Sequence, residues 1–299
     1  MKFNTLLYEK DKEVPQIVYV TLNRPEKSNV ISMGHGNMTQ ELQDAMRMVT
    51  EDDDVKVAII RAAGKNFCAG EDLEMVYRIY GGSPTFRPYQ GKRLVVDDTQ
   101  LYGQWRAVFL CDKITIAQVH GWCIEGGMDI VEGCDIAVAA DNSKFAHRGQ
   151  RIAFGGIPMN PLEILRNPKK IRELMLTGRT ISGKEAEDVG KITKAVPEAD
   201  LASEVYNLAK AICVIPYDAI VMGKMACRHH YNQANVIGMD TGVVYHTLAT
   251  NLRYKENEKE LRFIVGREKE GSAREAFHKH HAIFEEALNK TKYFRSYTG

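Results

Sequence analysis

The stretch that decides the fold is His120-Gly121-Trp122-Cys123-Ile124-Glu125-Gly126-Gly127-Met128-Asp129-Ile130-Val131. It follows a β-branched run, residues 114–119, whose length and composition are typical of a buried strand. The glycine pair then lets the backbone turn into an apolar segment with helical spacing. We therefore expect a helix to begin at Gly126, with its first N–H groups unpaired and its dipole attracting negative charge.

A second segment has the same order of elements. Residues 57–73 run from a predicted strand through a turn of small residues into a helical stretch that carries acids at its start. Two such turns can each donate one backbone N–H to the same oxygen, and the enolate of a thioester requires that arrangement. The pattern predicts an oxyanion-binding site between the two segments.

The two segments carry a resemblance to a known family. Residues 121–129 and Phe67-Cys68-Ala69-Gly70-Glu71-Asp72-Leu73 resemble the two oxyanion-hole segments of the crotonase (enoyl-CoA hydratase/isomerase) superfamily. The loop Asn23-Arg24-Pro25-Glu26-Lys27-Ser28-Asn29-Val30 is similar to the first motif of that superfamily, which lies near the coenzyme A site. The resemblance implies an α/β fold, a crotonase-like spiral of repeated ββα units with a helical C-terminal trimerisation region.

The resemblance also implies a division of the chain. Residues 1–196 would form the acyl-CoA-binding core, and residues 197–299 a helical region for oligomerisation and for covering the site. The periodicity agrees with an α/β core, because a predicted helix with one apolar face separates the predicted strands 17–22 and 55–61. The apolar positions of that helix are Met38, Leu42, Ala45, Met46 and Val49.

Composition narrows the class of protein. The 299 residues include 40 lysines and arginines and 39 aspartates and glutamates, so net charge does not favour nucleic acid or an anionic membrane as partner. The six cysteines include no CxxC pair, which indicates a reducing compartment and no structural metal site. The N-terminus resembles no secretory signal, and no apolar run reaches membrane-spanning length, so we expect a cytoplasmic protein.

The resemblance assigns the oxyanion donors to the backbone N–H groups of Ala69 and Gly126. Loss of one such donor typically costs about 2.7–4 kcal/mol of barrier. The alternative is that both positions are only tight turns. Coenzyme A contacts are expected from residues of the three motifs, namely Lys27, Ala69, Gly70, Glu71, Asp72 and Gly126.

The acids of the motifs have two interpretations each. Asp129 lies where hydratases carry their first catalytic glutamate, so it could be a general base, or it could only stabilise the helix dipole. Glu125 departs from the three-glycine pattern of the family and offers a second carboxylate. Glu71 could point into the acyl pocket or face water, and Asp72 could cap the following helix.

The second hydratase glutamate is missing. Counting from the motif residues on either side reaches Gly149 or Arg151, and no acid lies between Lys144 and Met159. The loop offers His147 as a base and Arg148 as a binder of a substrate carboxylate instead. A lone loop histidine is more often a surface or packing residue, so both interpretations stay open for His147.

The predicted function is an enoyl-CoA hydratase/isomerase-type reaction through a thioester enolate, with no cofactor apart from the coenzyme A of the substrate. A C–C bond hydrolase or lyase acting on a cyclic or bulky β-keto acyl-CoA is the alternative enzyme. It is favoured by the missing glutamate and by aromatic residues in the apparently irregular segment 75–105. The alternative from another class is a catalytically silent protein that binds CoA esters. The expected partners are an acyl-CoA and identical subunits, in a homotrimer or homohexamer.

Overall fold

The protein was studied as a computed structural model, which describes residues 2–34, 36–79, 89–152, 167–233, 256 and 263–299. Its strands alternate with helices along the first two thirds of the chain, as an α/β fold requires. The strands are Leu6–Lys10 (β1), Ile17–Leu22 (β2), Val57–Ala62 (β3), Ile114–Val119 (β4), Trp122–Ile124 (β5), Ile136–Ala140 (β6), Lys144–Ala146 (β7), Ile181–Ser182 (β8) and Lys194–Val196 (β9).

The helices occupy the connections between these strands and all the regular structure described after β9. They are Met38–Glu51 (α1), Leu73–Ile79 (α2), Gln90–Val96 (α3), Tyr102–Phe109 (α4), Gly126–Gly133 (α5), Pro168–Thr177 (α6), Gly183–Asp188 (α7), Leu201–Cys213 (α8), Tyr217–Gln233 (α9), Phe263–Glu270 (α10) and Ala273–Asn289 (α11). A π-helical turn, Asp97–Leu101, joins α3 to α4.

The strands form two sheets. The larger has the order β1-β2-β3-β4-β6-β9, with β1 antiparallel to β2 and the other neighbours parallel. The smaller has the order β5-β7-β8, and an isolated parallel bridge joins Cys68 to Cys123 of β5. Each repeat of the fold therefore contributes one strand to the larger sheet and a short extended segment in or beside the smaller sheet. The α/β prediction is confirmed.

The large sheet is covered on both faces. One face packs against α1 and α5, where Leu42, Met46 and Ile130 are fully buried or nearly so. The other face packs against α8 through Val205 and Ala209. Strands buried on both faces explain the continuous β-branched runs of β3 and β4. The predicted apolar face of α1 is confirmed, since all five of its named positions are buried.

The segment between α2 and β4 differs from its prediction. It was expected to be irregular, but residues 90–109 are helical apart from the π-helical turn. Tyr80, Phe86 and Pro88 lie outside the described residues, and Tyr89 is exposed. Helix α4 packs against α1 and α5, because it buries Val108 in the core and Trp105 in a satellite cluster.

The described part of the C-terminal region is helical, in agreement with the helical region predicted for residues 197–299. The boundary at residue 197 stays a prediction. Helix α11 lies over the N-terminal core, since Arg151 donates to Glu285 at 2.6 Å and the Ala273 N–H donates to Glu74. No single helix in the described ranges is long and apolar enough to cross a membrane. Leu201–Cys213 and Tyr217–His229 reach that length and composition only as a pair bent by 105°.

Candidate active site

Backbone hydrogen bonds hold the two predicted segments side by side. The Phe67 N–H donates to the His120 carbonyl at 2.8 Å, and the Cys68 N–H donates to the Trp122 carbonyl at 2.9 Å. The Ile124 N–H donates back to Cys68 at 2.9 Å. This short ladder continues both chains into their turns at the same level, so the N-termini of α2 and α5 lie next to each other.

The glycine pair is required by the closeness of the two segments. A Cβ on Gly127 would lie 2.7 Å from the Cβ of Cys68, closer than side-chain carbons approach. A Cβ on Gly126 would lie 2.6 Å from Glu71 Oε1 and 2.7 Å from Ile31 Cδ1. Helix α5 begins at Gly126 as predicted, and its first turn contains Asp129.

Two backbone N–H groups, those of Glu71 and Gly126, converge on one acceptor, and we call them the oxyanion cradle. The acceptor is the carboxylate of Glu71 itself: both N–H groups lower its pKa, and its Oε1 would lie 2.6 Å from a Cβ built on Gly126. A carboxyl group of the protein therefore already occupies the place where the charge of an enolate oxygen would be stabilised. The Glu71 carboxylate points into the site. The alternative prediction, that this side chain faces water, is wrong.

The structure corrects the prediction for Ala69. Its N–H donates to the carbonyl of Ser28 at 3.0 Å and is not available to a ligand. Segment 69–72 pairs with segment 28–31, because the Ile31 N–H donates to Gly70 and the Asp72 N–H donates to Ile31. The N–H of Glu71 faces the other way, toward α5, and takes the role that the sequence assigned to Ala69.

Glu71 holds its proton unusually strongly. Burial, together with the nearby charge of Glu125, raises the pKa of this carboxyl to about 8, although the Glu71 and Gly126 N–H groups act to lower it. A neutral carboxyl is easier to remove from the cradle than a carboxylate, because it gives up weaker hydrogen bonds. The side chain thus competes most strongly with a ligand at high pH.

Glu125 ties the two halves of the site together. It is the residue before α5 and has a φ of +47°, a left-handed backbone conformation that favours glycine. Its carboxylate accepts a hydrogen bond from the N–H of Arg148, and the N–H of Gly149 also lowers the pKa of this carboxyl. Its Oε2 also lies 3.2 Å from His147 Nε2. A strained residue with three polar partners indicates a position selected for its side chain.

The carboxylate of Glu125 also lies near the position where the second hydratase glutamate is missing. Gly149 is the position that the count from Phe145 assigned to the second hydratase glutamate, and its N–H lies near enough to the Glu125 carboxyl to lower its pKa. Burial raises the pKa of Glu125 to about 7, opposed by the N–H groups of Arg148 and Gly149. A carboxyl from another segment therefore reaches the loop that lacks its own and titrates near neutral pH.

His147 is a buried residue of this pair and not a surface loop residue. Only 8% of its side chain is exposed, against 13% for Glu125. Asp129 is partly buried. The pKa of the Tyr102 hydroxyl is raised mainly by burial, and the negative charge of Asp129 is the second largest cause, ahead of the charge of Asp97. The structure thus brings together four of the predicted residues: Gly126, Glu125, Asp129 and His147.

The remaining predicted contacts lie on the first motif. Asp72 precedes α2, and its carbonyl accepts the N–H groups of Met75 and Val76. Its carboxylate faces the first motif, 3.4 Å from Arg24 and 3.8 Å from Lys27. Lys27 is 57% exposed, and Gly70, at a φ of +91°, packs close to Glu125. Coenzyme A contacts at these residues stay a prediction.

The sequence reading missed two polar residues of α4. Gln104 is fully buried and Tyr102 is 6% exposed, and among the described residues the Gln104 amide and the Tyr102 hydroxyl have no hydrogen-bond partner. The available sequence signal for this part of the site was a polar glutamine between Gly103 and Trp105. It could not be used without knowing which way the helix faces.

Comparison with known proteins identifies the family of this chain. The family described as Enoyl-CoA hydratase/isomerase matches residues 12–261. EchA13 of Mycobacterium tuberculosis, named for an enoyl-CoA hydratase, is 33% identical over 230 residues, which are 70% of this chain and 69% of that protein. Hydroxycinnamoyl-CoA hydratase-lyase of Pseudomonas fluorescens is 29% identical over 65% of this chain and 68% of its own.

A solved structure is similar over nearly the whole chain. The crystal structure of an enoyl-CoA hydratase from Mycobacterium smegmatis superposes with a TM-score of 0.81, covering 99% of this chain and 98% of that one. At 24% identity this likeness concerns the fold, and it confirms the crotonase-like architecture. The match over residues 12–261 spans most of the sequence. The chain therefore belongs to the enoyl-CoA hydratase/isomerase family and is an enzyme of that family.

Proposed function

We propose that this enzyme processes acyl-CoA thioesters by stabilising an enolate in the oxyanion cradle. The observation that carries the proposal is the convergence of the Glu71 and Gly126 N–H groups on one carboxylate. The carboxylate oxygen stands in for the thioester oxygen, which gains negative charge in the transition state. Preorganised N–H donors stabilise that charge more than they stabilise the neutral ground state, and this difference lowers the barrier.

Asp129 and Glu125 act as the acid–base pair in this proposal. Asp129 lies in the first turn of α5, three residues after the cradle donor Gly126. Glu125 immediately precedes that donor and reaches the loop where the second family glutamate is missing. A carboxyl whose pKa is near 7 can both give and accept a proton at neutral pH. His147, 3.2 Å from Glu125, positions that carboxyl.

The coenzyme A portion binds at the first motif. Lys27 presents an exposed ammonium there, and Arg24 lies beside it through their shared contact with Asp72. Positive groups at this place suit the phosphates of coenzyme A. We propose that no metal or further cofactor takes part, since the cradle and the carboxyls supply the charge stabilisation and proton transfer that the reaction needs.

A C–C bond hydrolase or lyase is the second candidate. The observation that favours it is the buried Glu125–His147 pair, which replaces a simple second glutamate. A relative at 29% identity is named hydroxycinnamoyl-CoA hydratase-lyase. Cleavage next to a carbonyl leaves the same thioester enolate that the cradle stabilises, so both reactions use the same donors.

The proposed assembly is a homotrimer or homohexamer. Exposed apolar side chains on α6 and α9 support it, among them Leu176 at 67% and Met222 at 69% exposure. Apolar residues exposed in this way are candidates for burial between subunits. Light scattering after gel filtration measures the subunit number, and a monomer at micromolar concentration would remove this part of the proposal.

Turnover tests the reaction. Purified full-length protein is mixed with straight-chain enoyl-CoA esters and with cyclic β-keto acyl-CoA esters. Loss of enoyl absorbance indicates hydration, and mass spectrometry detects opened rings. Asp129→Asn should reduce the rate about 10²-fold or more, the usual contribution of an acid–base group. Asp141→Asn, at an exposed turn, is the matched control and should leave it unchanged. Binding without turnover across both sets would contradict the proposal.

A further inference from the structure

Two buried polar side chains of α4 have hydrogen-bonding capacity that the described structure does not use. Gln104 has no exposed surface, and neither its Oε1 nor its Nε2 has a partner. The hydroxyl of Tyr102, two residues before it, also has none. Buried polar groups in native proteins are nearly always paired with protein, water or ligand. These two therefore mark a place where a polar partner is accommodated.

Both groups lie beside the oxyanion cradle. A Cβ built on Gly126 would stand 3.2 Å from Gln104 Nε2 and 2.6 Å from Glu71 Oε1, so the amide and the carboxylate border the same small space. The Tyr102 hydroxyl lies within electrostatic reach of Asp129 and Glu71, whose charges raise its pKa together with burial. The wall that α4 contributes to this space is polar, whereas a hydrocarbon chain would favour apolar residues there.

We infer that Gln104 and Tyr102 bind an oxygen carried by the acyl group, and so select oxygen-substituted acyl chains over plain hydrocarbon chains of the same length. The inference rests on the proposed function, since it places the thioester oxygen in the cradle next to them. The amide offers a donor and an acceptor, and the hydroxyl offers either, so an oxo group or a hydroxyl of the acyl chain suits them equally. Their role is specificity, and proton transfer stays with the carboxyls.

The test compares pairs of CoA esters that differ by one oxygen. Dissociation constants of butanoyl-CoA and 3-oxobutanoyl-CoA, and of pentanoyl-CoA and 4-oxopentanoyl-CoA, are measured by calorimetry on the full-length protein. Mass spectrometry confirms that each ester is intact afterwards. In at least one pair, the oxo ester should bind about tenfold more tightly, the value expected of one or two added hydrogen bonds.

Variants assign that preference to the two residues. Gln104→Met keeps the length of the side chain and removes its polar atoms, and Tyr102→Phe removes only the hydroxyl. Each should reduce the preference while the affinity for the hydrocarbon ester stays within about twofold, a shift too small to signal a lost hydrogen bond. Gln40→Met is the matched control, because Gln40 lies on α1, donates to Asp44, and should keep the preference. Near-ultraviolet circular dichroism checks that each variant is folded.

The outcomes separate the inference from the proposed function. Equal affinities within both pairs would overturn the inference and leave the proposed function intact, since water then satisfies the two side chains. A preference that survives in both Gln104→Met and Tyr102→Phe would overturn it as well. Binding of none of the esters would overturn the proposed function and the inference with it.

Discussion

The carboxylate of Glu71 lies against Gly126, the first residue of α5, and the backbone N–H of that glycine lowers the pKa of the carboxyl. A side chain from one ββα unit thus fills the anion site at the start of another. Glu71 also supplies the second donor through its own N–H. The residue that completes the cradle is therefore the residue that blocks it, and substrate binding requires its side chain to leave.

Removing this side chain should strengthen ligand binding. Glu71→Ala keeps the backbone N–H and removes the competing carboxylate, so the dissociation constant of butanoyl-CoA should fall about fivefold or more, as expected when one hydrogen-bonded competitor is lost. Calorimetry near pH 8.5 measures it, since competition is greatest where the carboxyl is ionised. Glu71→Gln is the control, because its amide oxygen still accepts both bonds. Weaker binding by Glu71→Ala would contradict the blocking role.

Gly126→Ala should abolish most activity. The added Cβ would stand 2.6 Å from Glu71 Oε1 and 2.7 Å from Ile31 Cδ1, so it displaces groups at the cradle and misaligns the donor. We expect kcat/KM to fall about 10²–10³-fold, the usual cost of one oxyanion donor. Gly223→Ala, whose Cβ meets no atom within 4 Å, should be fully active. Equal activity of the two variants would remove Gly126 from the cradle.

Glu125→Ala should lower both stability and activity. The N–H of Arg148 loses its acceptor and Gly149 loses the carboxylate beside it, and an unsatisfied buried donor costs about 1–3 kcal/mol. Relief of the positive φ does not offset this loss, since alanine is strained there as well. Urea denaturation measures the free energy of unfolding. Glu125→Gln preserves the acceptor and should recover most of the stability without the proton transfer. A stable, fully active Glu125→Ala would exclude both roles.

Stability should fall as pH rises from about 4.5 to about 8. The folded-state pKa values, about 8 for Glu71 and about 7 for Glu125, lie above the value of 4.5 for an unperturbed glutamic acid. In this window the folded protein holds protons that the unfolded chain has released, so each increment of pH favours unfolding. The two carboxyls exert no penalty below the window and their full penalty above it.

Urea denaturation at about pH 4 and about pH 9 brackets that window. The double variant Glu71→Gln/Glu125→Gln cannot titrate at these positions and should lose less stability between the two pH values. An identical loss in the wild type and the double variant would show that these carboxyls have ordinary pKa values in the folded protein.

Much of the fold could be predicted from local sequence pattern. The apolar face of α1, the strand before α5, the start of α5 at Gly126 and the place of Asp129 in its first turn all follow from periodicity and from glycine placement, which act over a few residues. Two matched segments were enough to identify the superfamily. Helices α3 and α4 were missed, because their polar and aromatic residues do not show a clear apolar face.

The identity of the second donor was decided by tertiary structure. Ala69 and Glu71 lie in the same turn, and local spacing treats their N–H groups alike. Pairing with segment 28–31 engages the N–H of Ala69 and leaves that of Glu71 directed at α5. The same holds for Glu125, whose carboxylate reaches Gly149 only after β5 and β7 have paired. The sequence by itself determined which segments form the site. Which of their groups face it depends on hydrogen-bond partners distant in the chain, and only the folded structure brings those together.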